Sequence, residues 1–132
     1  MRLIELKLKI IRLLVKILGL KIKILELRRK NPLKEEETIE ELIRRIAKEE
    51  KVDPDLAVRV ALCESNLDPK AWNSTSYTGA DRGLYQINSY WHPEVSDEQA
   101  LDPEFSTRFF CKAVKNGHLN WWNTSRHCWE RS

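Results

Sequence analysis

Glu64-Ser65-Asn66-Leu67-Asp68-Pro69-Lys70-Ala71-Trp72-Asn73 and, after seven intervening residues, Asp81-Arg82-Gly83-Leu84-Tyr85-Gln86-Ile87-Asn88-Ser89-Tyr90-Trp91 decide how this chain reads. Each stretch opens on a carboxylate, and the two carboxylates lie 17 residues apart. Glu64 closes an apolar run in which Leu56, Ala57, Val60 and Ala61 recur at helical spacing, whereas Asp81 stands among Thr78, Gly79 and Arg82. A carboxyl with apolar neighbours such as Val60 resists ionisation, and one in a polar turn keeps its charge. Cleavage of a glycosidic bond uses that division: one acid that still holds its proton near neutral pH, and a second that is ionised. Glu64 and Asp81 are therefore candidate catalytic residues of a glycosidase.

Outward from this pair the chain reads as helices around one small turn-rich segment. Asp53-Pro54 supplies an N-cap and a proline for the first helical position, so the helix ending in Glu64 starts there and runs to about residue 65. Upstream, Thr38 with Glu41 forms a capping-box pattern, and Ile39, Leu42, Ile43 and Ile46 continue it as a helix over about 38–50. Residues 66–82 are rich in Asn, Ser, Thr, Asp and Gly and read as loop and turns, with short strands around Tyr77 and over Leu84 to Asn88. Three further helices are predicted near 97–101, over 103–116 behind Asp102-Pro103, and over about 119–128. The fold class is α+β and mostly helical, a domain over 38–132 with one small turn-rich β segment.

The two quoted stretches resemble the active-site segment of the lysozyme and soluble lytic transglycosylase superfamily. The chicken-type pattern is Glu-Ser-Asn-aromatic-Asn, then Asp-Tyr-Gly-aliphatic-Leu-Gln-Ile-Asn-Ser and tryptophans, with the same interval between carboxylates. The resemblance implies a lysozyme-like domain with Glu64 as general acid and Asp81 as second carboxylate, a division of labour taken over from lysozyme. It also implies that Gln86, Asn88 and Trp91 line the sugar-binding cleft, Asn88 hydrogen-bonding an N-acetyl group and Trp91 stacking on a sugar face. A weaker echo, Gly117-His118-Leu119-Asn120-Trp121 with Cys128 beyond, makes Trp121 the counterpart of the tryptophan that packs over the catalytic glutamate.

The function implied by the resemblance is that of a muramidase, which hydrolyses the β-1,4 bond between N-acetylmuramic acid and N-acetylglucosamine. Its partner would be peptidoglycan glycan strands, with no cofactor, and its place of work the cell envelope or outside the cell. The alternatives are a lytic transglycosylase giving 1,6-anhydro products, and a non-catalytic oligosaccharide-binding protein on the same scaffold. The chain departs from both enzyme patterns. Chicken-type lysozymes carry four disulfides where three cysteines here allow at most one, and the Ala-Tyr-Asn-Ala-Gly segment of bacterial lytic transglycosylases is missing. Cys63–Cys128, Cys111–Cys128 and a fully reduced chain are all open; in the lysozyme pattern the bridge from the catalytic helix to the Cys128 segment starts about one turn earlier. With no C-x-x-C pair, and His118 and His127 too far apart for zinc-ligand spacing, no metal site is expected. His92, beside Trp91, has two readings, a residue bordering the cleft or, more commonly for a His near a Pro, a plain loop residue.

Residues 1–30 are of another character. They hold ten Lys or Arg against two Glu, a net of 10 − 2 = +8, whereas residues 31–132 hold 13 basic and 18 acidic residues, a net of 13 − 18 = −5. Leu3, Leu6, Ile10, Leu13, Ile17, Leu20, Ile24 and Leu27 repeat at 3-4 spacing, and Ile4, Ile11, Leu18, Leu25 with Leu8, Val15 and Ile22 widen the oily face. Lys and Arg interrupt it too often for a membrane span of about 18 residues or for the core of a signal peptide. The segment predicts a basic amphipathic helix that lies on an anionic membrane surface, self-associates, or packs on its own domain; Glu5 to Ile10 and Leu20 to Leu27 also fit strands. So apolar a face suits lipid or protein better than nucleic acid. Residues 31–37, where Pro32 stops the helix and the charge changes sign, are read as a linker.

Overall fold

The computed structural model describes residues 2–30, 36–75 and 77–131. They form two compact units that divide after Glu36. The expected linker falls largely on residues 31–35, outside the described residues. In the first unit α1 (Arg2–Lys30) is one uninterrupted helix, including both stretches whose alternation also suited strands, and none of its residues is buried.

In the second unit local signals set the helix starts. Thr38 Oγ1 accepts from the Glu41 amide at 3.2 Å while Glu41 Oε2 accepts from the Thr38 amide at 3.0 Å, so both halves of the capping box open α2 (Ile39–Glu49). Asp53 caps α3 (Pro54–Ser65) with its proline in the first turn. Ser96 and Gln99 form a second capping box at α4 (Asp97–Leu101), and Asp102-Pro103 opens α5 (Pro103–Lys115). Asn66, left-handed at φ 54°, ends α3 and turns the chain toward the sheet.

The sheet has three antiparallel strands, β1 (Trp72–Thr75), β2 (Gly79–Arg82) and β3 (Ile87–Asn88), in that order. Strands expected around Tyr77 and across Leu84 to Asn88 fall differently. Tyr77 sits in the turn between β1 and β2, and residues 84–86 form the turn into β3, leaving only its last two residues as strand. Turn chemistry at Gly79 and Gly83, both at positive φ, overrides the apolar run. The final helix expected over 119–128 is instead a 3-10 segment (Leu119–Ser125), kinked at Trp122, followed by the short α6 (Arg126–Trp129).

The core lies between the helices. Ile43 and Ile46 of α2, Val60 of α3 and Phe110 of α5 are fully buried around Leu84 and Tyr85. Trp122 and Trp129 close it from the last segment. Of the three cysteine arrangements left open, the chain adopts Cys63–Cys128, with Cα atoms 6.0 Å apart. Cys111 is a free thiol on α5, and burial pushes its pKa up to about 11, which makes it a small apolar filler and a poor nucleophile.

The disulfide spans 65 residues and ties the end of α3 to α6. Closing a loop of that length restricts the unfolded chain, so reduction is expected to lower the unfolding free energy by about 2–4 kcal/mol. Urea unfolding with and without reductant measures this; coincident midpoints would contradict it.

Candidate functional site

Glu64 is in the last turn of α3, and its neighbours fix where that turn can sit. Cys63 is locked to Cys128. On the other side Ser65 Oγ donates to Leu84 O at 2.9 Å and lies 3.1 Å from Ala61 O, strapping the helix end to the turn that follows β2. The Glu-Ser dipeptide thus joins an acid to the hydroxyl that holds the acid's helix against the hairpin.

The hairpin presents Asp81 by strand alternation. Ala80 and Arg82 point inward and are buried, so Asp81 between them faces the other way. Arg82 is itself well tied, donating from Nε to Ile87 O (3.0 Å) and from Nη1 to Val95 O (2.9 Å) and to Asp97 Oδ1 (2.8 Å). On the opposite face Asn73, Asp81 and Asn88 stand side by side across the three strands. Asn88 Nδ2 donates to Asp81 Oδ1 at 2.9 Å, while Asn88 Oδ1 accepts from the amides of Tyr90 (2.9 Å) and Trp91 (3.1 Å). Asn88 therefore orients the carboxylate and shapes the loop that carries Trp91.

Between β2 and β3 the turn is driven into the core. Tyr85 is fully buried, its hydroxyl donates to Ala57 O at 2.8 Å, and its ring stacks on Phe110 at 4.4 Å. Its carbonyl accepts from Trp122 Nε1 at 2.8 Å. Gln86 emerges with a left-handed backbone (φ 51°), its Oε1 accepting from Asn73 Nδ2 at 2.6 Å and its Nε2 donating to Gly83 O at 3.0 Å.

Glu64, Asp81, Gln86, Asn88, Trp91 and Trp121, the candidates named from sequence, all line one cleft of about 580 Å³. Burial raises the Glu64 pKa and the nearby charge of Asp81 pushes it the same way, against a hydrogen bond from Ser125 that lowers it. Trp91 stands out at the rim, 68% exposed, with Tyr90 edge-on to it at 4.9 Å. Trp121 is 46% exposed and stacks flat on His118 at 4.5 Å, with His92 4.8 Å away; the enclosed tryptophan is its neighbour Trp122, at 5%. Trp122 and Trp129 are thus interior, and the half-open face belongs to Trp121. Thr78, His92, Phe109 and Thr124 also reach the cleft. Of these only His92 had a hint, its place beside Trp91. Ser125, the partner of Glu64, follows Asn-Thr and reads from sequence as an ordinary turn residue. Among the described residues no three His, Cys, Asp or Glu side chains converge on a common point.

Residues 46–125 match the family described as a lysozyme-like domain, 125 − 46 + 1 = 80 residues of the 132. The chain belongs to that family. The matched span runs from within α2 to Ser125, and so takes in every residue that lines the cleft. No curated protein and no solved structure matches the chain significantly. A lysozyme-like domain is the mark of a family of peptidoglycan-acting glycosidases and transglycosylases, and the α+β fold, with its three short strands beside a helical core, agrees with it.

Gly83 is what allows the turn beside Asp81 to lie this close to α4. Its φ is +74°, and a Cβ there would stand 2.0 Å from the Ala100 carbonyl oxygen. Backbone strain and overlap act together, so Gly83→Ala is expected to destabilise this lysozyme-like domain by about 3 kcal/mol or more. Thermal unfolding reads it; a loss below about 1 kcal/mol would mean that the turn and α4 separate freely.

Proposed function

We propose that the domain is a muramidase that hydrolyses the β-1,4 bond between N-acetylmuramic acid and N-acetylglucosamine in peptidoglycan. The observation that carries this reading is the pairing of Glu64, its pKa raised by burial, with Asp81 in the same cleft. Glu64 donates its proton to the glycosidic oxygen as the bond from the anomeric carbon to that oxygen breaks. Asp81 meets the positive charge that develops at the anomeric carbon, by a covalent bond or as an ion pair. Glu64, now a carboxylate, takes a proton from a water whose oxygen attacks the same carbon, releasing Asp81 as its carboxylate, and the product forms with retention. Asn88 keeps Asp81 aimed through its 2.9 Å hydrogen bond, and its second amide hydrogen is the donor proposed for a substrate N-acetyl group. Gln86 flanks the cleft floor, while Trp91 and Trp121 offer exposed ring surface to sugar faces. No cofactor enters these steps.

Asp81 favours hydrolysis over transglycosylation, in which the sugar's own 6-hydroxyl displaces the leaving group and no second carboxylate is used. Mass spectrometry of digested peptidoglycan is expected to show reducing ends, with Glu64→Gln lowering kcat by at least about 1,000-fold and Asp81→Asn by about 100-fold. Products lighter by one water would establish the transglycosylase instead. Wall-degrading activity that survives Glu64→Gln would make the domain a binding protein.

For α1 we propose an anionic membrane surface as the occupant of its apolar face. All sixteen of its Leu, Ile and Val side chains are exposed. A homodimer built on the 3-4 seam would leave Ile4, Ile11, Leu18 and Leu25 outside it, and would bring Arg2, Lys16 and Lys23 against Lys7, Lys21 and Arg28 of the second helix. Anionic lipid reverses both penalties, covering more of the oily surface and matching the charge, while Lys7 and Lys21 extend their stems to reach the headgroups. No described helix is long and apolar enough to cross a membrane, so the helix would lie in the interface, at the envelope where the substrate is. Deleting residues 2–30 is expected to abolish binding to phosphatidylglycerol vesicles, and raising salt from 0.05 to 0.5 M to weaken binding of the full chain about tenfold. Retained binding, with an oligomer-to-monomer shift on sizing, would favour self-association.

A further inference from the structure

Ser125 is the polar side chain that touches the proposed acid, and its surroundings give it more than one way to do so. Its Oγ is hydrogen-bonded to Glu64 Oε1. The same oxygen accepts from Trp129 Nε1 at 3.1 Å and lies 3.2 Å from Trp122 O. The frame around it is rigid: Trp122 and Trp129 are buried, Trp129 Nε1 also reaches Trp122 O at 3.1 Å, and Trp122 Nε1 is fixed to Tyr85 O. One residue before Trp129, Cys128 is bonded to Cys63, the neighbour of Glu64.

A serine hydroxyl has one proton and two lone pairs. Trp129 occupies one lone pair. Facing an ionised Glu64, the proton turns to Oε1 and the serine is a donor. Facing a Glu64 protonated on Oε1, the proton turns to Trp122 O and the remaining lone pair accepts from the glutamic acid; with the acid's proton on Oε2, where it is free to leave, the serine stays a donor to Oε1. Each state of the acid therefore finds its partner by rotation about a single C–O bond, with no heavy atom moved. A carbonyl in its place would serve only the acid, and an amide N–H would offer the acid's proton no acceptor.

We propose that Ser125 is a positioning residue that holds the Glu64 carboxyl in one place through both of its protonation states, acting as donor to the carboxylate and acceptor to the acid, with the Trp122 carbonyl as its resting partner. The proposal deepens the enzymatic reading, in which Glu64 first gives a proton and then takes one, and it rests on that reading only for its effect on rate. A residue that served one state alone would help one half of the cycle and hinder the other. The titratable groups that line the cleft with Glu64 are Asp81 on β2, whose charge acts on it, Tyr85 in the buried turn, and His92.

Ser125→Ala, Ser125→Thr and Glu64→Gln in the full chain test this. In Ser125→Ala the donor that lowers the Glu64 pKa is gone, while Trp129 keeps its bond to Trp122 O, so the fold is retained. The bond to the charged carboxylate is the stronger of the two, so its loss raises the pKa. The Glu64 resonance, assigned by its absence in Glu64→Gln, is expected to titrate at higher pH in Ser125→Ala, and Ser125→Thr to restore the wild-type value. In activity, the basic limb of kcat/KM, where the acid loses its proton, moves to higher pH, and kcat falls about tenfold with KM unchanged. An unmoved Glu64 titration in a folded Ser125→Ala protein overturns the proposal, as does an equal loss of kcat at every pH with the basic limb in place. If the titration moves but Glu64→Gln retains full activity, the positioning of Glu64 stands and the muramidase reading fails.

Discussion

The buried Tyr85 is the constraint on which the cleft depends. Its hydroxyl donates to the carbonyl of Ala57 in α3, its ring stacks on Phe110 of α5, and its carbonyl receives the indole of Trp122. One residue in a turn thereby fixes the three pieces of chain that carry Glu64, Asp81 and the tryptophan wall. A buried phenol that lacked its acceptor would leave an unsatisfied donor in the core, so the turn cannot shift by a residue without losing both the bond and the stacking. That is how a three-stranded sheet with one strand of two residues holds its register, although a sheet so small has little stability of its own. The hairpin is held by what its turn buries more than by its ladder.

From Tyr85 the asymmetry of the two carboxyls follows. Driving Leu84 and Tyr85 inward brings the end of α3 against the turn, where Ser65 completes the contact. Glu64 is then half enclosed, and burial outweighs the hydrogen bond that Ser125 supplies. Asp81, on the outward face of β2 between two asparagines, has polar neighbours instead. The same turn thus separates an acid held against an apolar wall from one held against amides. Arg82 sits behind them with its guanidinium buried and one nitrogen, Nη2, unpaired. The bonds of that guanidinium to Ile87, Val95 and Asp97 fasten the loop beyond β3 to the hairpin.

The helices were legible because their starts are chemical. Thr38 with Glu41, Asp53 with Pro54, and Asp102 with Pro103 each put a capping oxygen or a fixed φ where the backbone needs one. The six candidate site residues came from the motif and its weaker echo, and the structure gathers them into one cleft. What sequence could not supply was long-range. Ile87 and Asn88 form a strand while Leu84 and Tyr85 do not, because Gly83 at positive φ starts a turn that tertiary burial completes. Ser125 partners Glu64 across 61 residues, and nothing at Asn-Thr-Ser announces it. Trp121 and Trp122 are adjacent apolar residues whose exchange of inside for outside depends on a kink at residue 122 that no periodicity encodes. Three cysteines left the pairing open until α3 and α6 were seen side by side.

The opposite charges of the two parts of the chain bear on how such a cleft meets its substrate. Residues 31–132 carry a net −5, so this part alone is repelled by an anionic envelope surface, and its encounter rate there falls as ionic strength drops. Residues 1–30, at +8, reverse that field while adding an apolar face for which the first unit offers no cover. In the proposed membrane reading charge brings the chain to the surface and burial of Leu and Ile holds it there, two contributions that respond oppositely to salt. Such confinement would raise the local concentration of the cleft near an insoluble polymer without any change in the cleft itself. A modest intrinsic affinity for glycan is then sufficient, and the exposed rings of Trp91 and Trp121 suit it, since they offer stacking area without enclosing the sugar.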